Sequence, residues 1–152
     1  MLLVLALLIG VVAGLRAMTA PAVVSWAGYA GRLSLAGTPL AFMGSWWVAW
    51  LFTVLALAEL VTDQLPRTPS RKVPMQFAAR LITGTLAGLT IAATGASLAA
   101  GAVAGAVGAV IGTLGGAALR ARLAGFFGED RPAAFIEDAV AIIGALLIVS
   151  LA

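Results

Sequence analysis

The sequence contains no cysteine and no histidine. Their absence excludes disulfide bonds, thiolate nucleophiles, haem ligation by imidazole and the usual zinc and copper sites. Any acid–base chemistry is left to carboxylates, to Lys72, to the single tyrosine Tyr29 or to water. A bound metal ion would have to accept oxygen ligands, as Mg²⁺, Ca²⁺ and Na⁺ do.

Charge is also scarce, because 10% of the 152 residues are charged and 62% are hydrophobic. The mean hydropathy is +1.12. A soluble domain carries roughly 25% charged residues, so this chain has too little polar surface for a globule in water. We therefore predict an all-α, polytopic helix bundle surrounded by lipid. The basic residues are scattered or lie in short loops, which argues against a nucleic-acid partner.

The length fits one domain, residues 1–152, with about five membrane spans at ~20 residues per crossing. The predicted spans are residues 1–29, 40–65, 75–96, 98–119 and 132–152. The first lacks the basic region of a signal peptide, so we interpret it as a retained span. It is expected to break or kink near Arg16–Pro21, because proline removes a helical hydrogen bond.

Two predicted loops, residues 66–74 and 120–131, hold most of the basic residues. The positive-inside rule places such loops in the cytoplasm. With five spans, the N-terminus is then expected inside and the C-terminus outside.

Ionisable side chains within the predicted spans are the candidate site, since charge is costly in a bilayer. They are Arg16, Glu59, Asp63, Arg80, Glu137 and Asp138. Glu59 and Asp63 share a helix face at i and i+4, and close carboxylates favour a bound proton, Na⁺ or a divalent cation between them. If a metal binds, these two are the expected ligands. We expect Arg16 to lie close to both, with Glu137 or Asp138 nearby.

Glycine recurs at helical spacing in the third and fourth predicted spans. The GxxxG pairs are Gly84/Gly88, Gly101/Gly105, Gly108/Gly112 and Gly112/Gly116. Small residues at this spacing let helix backbones approach closely, either within one chain or between copies. Short, glycine-rich helices enclose little volume, so we expect a homo-oligomer.

Three short motifs resemble those of a family of small bacterial membrane proteins catalogued as domain of unknown function 4126. The motifs are Gly14-Leu15-Arg16 followed by Pro21, Glu59-x-x-x-Asp63-x-x-Pro66, and Glu137-Asp138. The resemblance covers essentially the whole chain. It implies a compact helical domain in the bacterial inner membrane and points to the charged residues of these motifs, and it brings no activity with it.

Together these features predict a small transporter or channel for an ion or small polar solute, without a cofactor. Glu59 and Asp63 are the expected proton or cation site, and Arg16 the counter-charge or the contact for an anionic group. The alternative is a non-catalytic membrane scaffold or assembly protein whose charges form structural ion pairs. A membrane enzyme is the least favoured class, because it would have to work with carboxylate or metal chemistry alone.

Overall fold

The computed structural model describes residues 1–63 and 73–152, and within them it has six α-helices and no β-strand. The all-α prediction is therefore confirmed. The helices are α1 (Leu2–Leu15), α2 (Thr19–Tyr29), α3 (Trp46–Thr62), α4 (Pro74–Ala92), α5 (Leu98–Phe127) and α6 (Asp130–Ser150), with a 3₁₀ turn at Ala41–Gly44 before α3. The predicted polar loop, with Pro66, Arg67, Arg71 and Lys72, lies almost entirely outside the described residues.

The centre of the bundle consists of α1, α4 and α5, packed with their backbones in contact. Gly10 of α1 lies against Gly105 of α5, and Gly14 lies against Gly112, so these two helices run parallel. From the other side, Gly88 of α4 approaches the same Gly105. A methyl group on any of these glycines would overlap a neighbouring backbone atom. The predicted GxxxG packing is thus found, and its partners are helices of the same chain.

The first apolar stretch folds back on itself as a helical hairpin. Leu2, at the start of α1, lies beside Gly95 in the turn between α4 and α5. Arg32, just past α2, donates to the carbonyl oxygen of Ser150 at the end of α6, at 3.4 Å. Between them the backbone leaves the helix at Arg16 (φ −138°, ψ 108°). Both the start of α1 and the end of α2 therefore lie at one end of the bundle.

The directions of the neighbouring helices agree with this hairpin. Trp26 of α2 donates to Thr53 of α3, while the start of α2 contacts Glu59, so these helices are antiparallel. Val12 of α1 lies near Gly144 of α6. We call the end with Met1, residues 31–45, residues 94–97 and Ser150 the terminal end. The opposite end, with the α5–α6 turn and Arg120, Arg122 and Arg131, is the basic end.

The structure differs from two expectations about the N-terminal segment. The predicted interruption is confirmed, since helical structure stops at Leu15 and resumes at Thr19. The segment turns back there, however, so it is not one broken span. Both termini consequently lie at the same end of the bundle, which differs from the expected arrangement with the N-terminus inside and the C-terminus outside.

Pro21 contributes to the interruption, because in a continuous helix it could not bond the carbonyl oxygen of Ala17 and its ring would clash with that carbonyl. Pro21 is the third residue of α2, where a helix has no intrahelical partner for the backbone N–H anyway. The missing donor of proline therefore costs nothing at this position. The backbone changes direction earlier, at Arg16, in residues whose polar groups are bound by other helices.

The fourth apolar helix is longer than predicted. α5 has 30 residues, or about 45 Å, and it includes Arg120 and Arg122, which were expected in a loop. It ends at Phe127, and two residues separate it from α6: Gly128, whose φ of 72° favours glycine, and Glu129. The charges of residues 120–131 predicted a loop, but the alanine, leucine and arginine residues in the first part of this segment all favour helix.

Two helices in the described part of the chain are long and apolar enough to cross a membrane, namely α5 and α6. The helices α1 and α3 are apolar but shorter, with 14 and 17 residues. α4 has 19 residues and contains Arg80 and several threonines, which lower its hydropathy. By length and composition, the structure thus supports two of the five expected spans.

Polarity is distributed in the opposite way to a water-soluble globule. Large apolar side chains are exposed along the helices, with Trp46 62% and Phe126 84% exposed near opposite ends. By contrast, Arg16 is 0% and Arg80 2% exposed. These two arginine side chains therefore lie inside the bundle, while large apolar side chains face outwards.

Candidate functional site

At the tip of the α1–α2 hairpin, backbone N–H and C=O groups have no partner within a helix. A carboxylate from α3 accepts hydrogen bonds from two of the N–H groups. The backbone N–H groups of Ala17 and Met18 donate to the two carboxylate oxygens of Glu59, at 2.8 and 2.9 Å. A negative charge at this position also complements the positive N-terminal end of α2. Glu59 thus satisfies donors that would otherwise be buried and unpaired.

Arg80 of α4 binds the other side of the same interruption. Its Nη1 donates to the carbonyl oxygens of Gly14 and Leu15, at 2.8 and 2.6 Å, where a positive charge suits the C-terminal end of α1. Its Nη2 lies 3.6 Å from Oε1 of Glu59. The two ends of the interruption are therefore stabilised by opposite charges, which come from two further helices and also contact each other.

Arg16 lies in the interruption itself, and its side chain is fully buried. Its Nη1 forms an ion pair with Asp63 at the end of α3, and its Nη2 forms one with Asp138 of α6. The predicted gathering of Arg16, Glu59, Asp63 and a carboxylate of the last helix is confirmed, and Arg80 joins it. We call these five residues the tip cluster.

Glu137 does not belong to the tip cluster. Neighbouring residues of an α-helix point about 100° apart, so Glu137 faces α5 while Asp138 faces Arg16. Its Oε2 lies 3.4 Å from Nη1 of Arg120, whose Nε donates to Asp130 at 2.8 Å. Glu137 is buried and takes part in a second group of charges nearer the basic end.

A small cavity lies beside this second group. Its volume is ≈ 40 Å³, and its lining is mostly apolar, with Leu15, Leu119 and Val140 among the residues and Arg120 and Glu137 at its polar side. A single water needs roughly 10–15 Å³ of such volume, so a few water molecules fit. Among the lining side chains, Arg120 and Glu137 would be the polar partners of such water, and the rest of the lining is apolar.

Arg120 and Asp130 are site residues that the sequence analysis missed. Arg120 was assigned to a loop, and Asp130 was not considered as a partner for the last helix. One signal could have found Arg120: it continues the i, i+4 series of Gly112 and Gly116 on α5. Because Gly112 and Gly116 lie on the face of α5 that packs inside the bundle, the residue four positions further on is expected to face the inside of the bundle as well.

Glu59 and Asp63, the expected proton or cation site, bind different groups of the protein. Each carboxylate faces its own donors, Glu59 the tip N–H groups and Asp63 the guanidinium of Arg16. Residues 1–63 and 73–152 contain no group of three or more acidic, histidine or cysteine side chains that could hold a metal ion. The excess of negative charge is instead at Arg16, where Asp63 and Asp138 share one guanidinium.

The chemical capacities of the site follow from these contacts. The tip presents two backbone N–H donors and two guanidinium groups, which together can bind an anion. Asp63 and Asp138 share the single guanidinium of Arg16 as their partner. The three carboxylates of the tip cluster remain 13–14% exposed, so the cluster reaches the protein surface on one side.

The sequence model of a family described as "Domain of unknown function (DUF4126)" matches residues 3–152. The resemblance inferred from the three short motifs is therefore confirmed over the whole chain. No curated protein and no solved structure gives a significant match.

Proposed function

Because the chain belongs to the family Domain of unknown function (DUF4126), whose description assigns no activity, we propose a function from the site itself. The protein is a small multi-pass transporter or channel of the bacterial inner membrane for an ion or small polar solute. The observation that carries this proposal is the helical hairpin whose tip ends inside the bundle at five charged side chains.

In this proposal α3, α4, α5 and α6 cross the membrane, and the α1–α2 hairpin enters and leaves at the terminal end. α3, α4 and α6 are about 26, 29 and 32 Å long, against ~30 Å for the hydrocarbon core. Non-helical backbone is tolerated at such depth only when protein or water satisfies it. Glu59 and Arg80 supply that satisfaction at the tip.

The basic end faces the cytoplasm in this arrangement. It carries Arg120, Arg122 and Arg131, and the sequence places Arg67, Arg71 and Lys72 between two helices that meet there. The terminal end carries Arg32 alone. The positive-inside rule therefore favours a terminal end, with both termini, on the outer side.

The tip cluster supplies a mechanism for coupling. A proton that binds Asp63 or Asp138 removes the excess negative charge around Arg16 and weakens one of its two ion pairs. α3 carries Asp63 and Glu59 together, so its charged end would be released from the hairpin tip more easily. Solute passage would then depend on the proton, which is how an ion gradient could drive movement.

A scaffold or assembly protein is the second candidate, and one observation favours it. Every carboxylate of the tip cluster has a partner in the structure, as expected for ion pairs that only hold helices together. In that case the exposed apolar faces would serve contacts with other copies or with a partner protein. Light scattering in detergent tests the homo-oligomer that either function would use.

Flux in reconstituted liposomes separates the two functions. Wild-type protein should move protons or a small charged solute under an imposed gradient, and Asp138→Asn, which removes one of the two proton-binding carboxylates at Arg16, should abolish this movement while keeping assembly intact. Glu129→Gln, which changes an exposed carboxylate between α5 and α6, is the matched control and should retain flux. Wild-type protein that moves none of the ions and solutes offered, while Asp138→Asn lowers thermal stability, would favour the scaffold.

A further inference from the structure

We propose that the hairpin tip is a binding site for an oxyanion, a carboxylate or phosphate group, and that Glu59 occupies it in this structure as an internal ligand. The inference rests on the proposed function and assigns the class of solute that the site takes. The oxyanion binds when the charged end of α3 withdraws and leaves the tip donors open.

The contacts of Glu59 are those of a bound anion. Its two oxygens each accept one backbone N–H, from Ala17 and Met18, at the N-terminal end of the 11-residue helix α2. The guanidinium of Arg80 lies 3.6 Å away. Any carboxylate or phosphate presents two oxygens in the same way, so it can replace Glu59 contact for contact.

Arg16 adds a second, independent indication of a ligand. Its side chain is 0% exposed, and its Nε has no hydrogen-bond acceptor among the described residues. A buried donor without an acceptor is costly, and the cost is larger for a charged group. Arg16 directly precedes Ala17, and its guanidinium pairs with Asp63 and Asp138 rather than with Glu59. When the end of α3 withdraws with Asp63, this guanidinium loses one partner, and an oxygen of an incoming phosphate, or a water that accompanies a carboxylate, would supply the acceptor that Nε lacks.

The helix that carries Glu59 is weakly held at this end. α3 packs against α2 and the 3₁₀ turn, and its fully buried residues are Val48 and Ala49, both near the terminal end. Trp26 also holds that end through Thr53 and Trp50. The last two turns of α3 contain no fully buried residue. Polar contacts thus fix the charged end of α3, and a competing anion can exchange with them.

The sign of the charge decides the class of ligand. If Glu59 withdraws with Asp63, the groups left at the tip are two N–H donors, Arg16 and Arg80, with Asp138 as the remaining carboxylate of the cluster. A cation would meet two guanidinium groups there. An oxyanion would meet donors that its own charge complements, so the vacated tip selects anions.

A distance measurement between spin labels tests the proposal. Nitroxides at Val61→Cys on α3 and Leu114→Cys on α5 occupy exposed positions, 65% and 50%, and the sequence has no other cysteine. A second pair, Ile82→Cys on α4 and Ile143→Cys on α6, reports on the rest of the bundle. Both pairs are measured in phosphatidylcholine nanodiscs with added sodium acetate, sodium phosphate or sodium chloride, and in nanodiscs that contain phosphatidylglycerol.

Acetate or phosphate should lengthen the α3–α5 distance and leave the α4–α6 distance unchanged, whereas chloride should change neither. Glu59→Gln should reach the longer distance at an anion concentration about tenfold lower, because a neutral acceptor binds the tip donors less strongly. Lengthening with phosphatidylglycerol alone would identify a lipid headgroup as the source of the oxyanion. An α3–α5 distance that no anion and no lipid changes, in wild type and in Glu59→Gln, would overturn the proposal. Liposome flux with an unchanged distance would overturn it too, while a changed distance without flux would count against transport only.

Discussion

The two sides of the molecule are held together by different forces. α1, α4 and α5 touch through glycine backbones, and a single added methyl group would overlap a neighbour. α3 lies against α2 with most of its surface exposed, and its charged end is fixed by Glu59 and Asp63. Backbone contact gives a rigid unit, whereas contacts through a few charged groups can open and close. We therefore expect any movement to occur at the charged end of α3, while the glycine-packed helices stay together.

The largest effect is expected in the glycine-packed centre. Gly112→Leu would force a side chain into the backbone of Val11, so the helices would have to separate. The cost should exceed the ~1–3 kcal/mol that overpacking usually produces, and little folded protein should be recovered. Gly115→Leu on the same helix is the control, because nothing lies within 4 Å of that position. Yield and elution volume in detergent measure both, and equal behaviour would mean that α5 does not pack on α1 as described.

The next effect concerns the centre of the tip cluster. Arg16→Ala leaves Asp63 and Asp138 close together without their common partner, which should lower the free energy of unfolding by ~3–5 kcal/mol. Adding Asp63→Asn and Asp138→Asn should restore part of that loss, since the two charges no longer repel. Arg122→Ala, at an exposed arginine of α5, is the control. Thermal unfolding in detergent reports the result, and the absence of any rescue would argue that Arg16 stabilises the bundle by other contacts.

The smallest effect is expected on the outer face of α3. Leu57 is 57% exposed, so Leu57→Ala should change the free energy of unfolding by less than about 0.5 kcal/mol. Ile9 of α1 is 0% exposed, and Ile9→Ala should cost ~2–5 kcal/mol. A large loss for Leu57→Ala would show that this face of α3 is covered, for example by a second copy of the chain.

The same contrast explains what the sequence could predict. The glycine spacing predicted close helix contacts, and the energetic cost of buried charge predicted that Arg16 and the carboxylates gather. Both follow from local spacing or from a general rule about the bilayer. The sequence did not predict which helices the glycines contact. That depends on which helices are neighbours in the bundle, and a single sequence does not show this.

The direction of the chain after Arg16 was beyond the sequence for a physical reason. α1 and α2 together have 25 residues, enough for one crossing, and a kink and a reversal have the same hydrophobic pattern. The reversal depends on Glu59 and Arg80, which bind the freed backbone groups from helices distant in sequence. Arg120 was missed for a related reason, since its charge resembled a loop although its helix continues for two more turns.

The reversal at Arg16 is tested most directly by labelling single cysteines from one side of the membrane. The positions are a cysteine inserted after Met1, Ser34→Cys, Ser97→Cys at the terminal end, and Gly125→Cys at the basic end, in a chain with no native cysteine. In intact cells an impermeant thiol reagent should label the first three, and should reach Gly125→Cys only after permeabilisation. Labelling of Ser34→Cys but not of the cysteine after Met1 would mean that α1 and α2 cross the membrane as one span, and would contradict the hairpin.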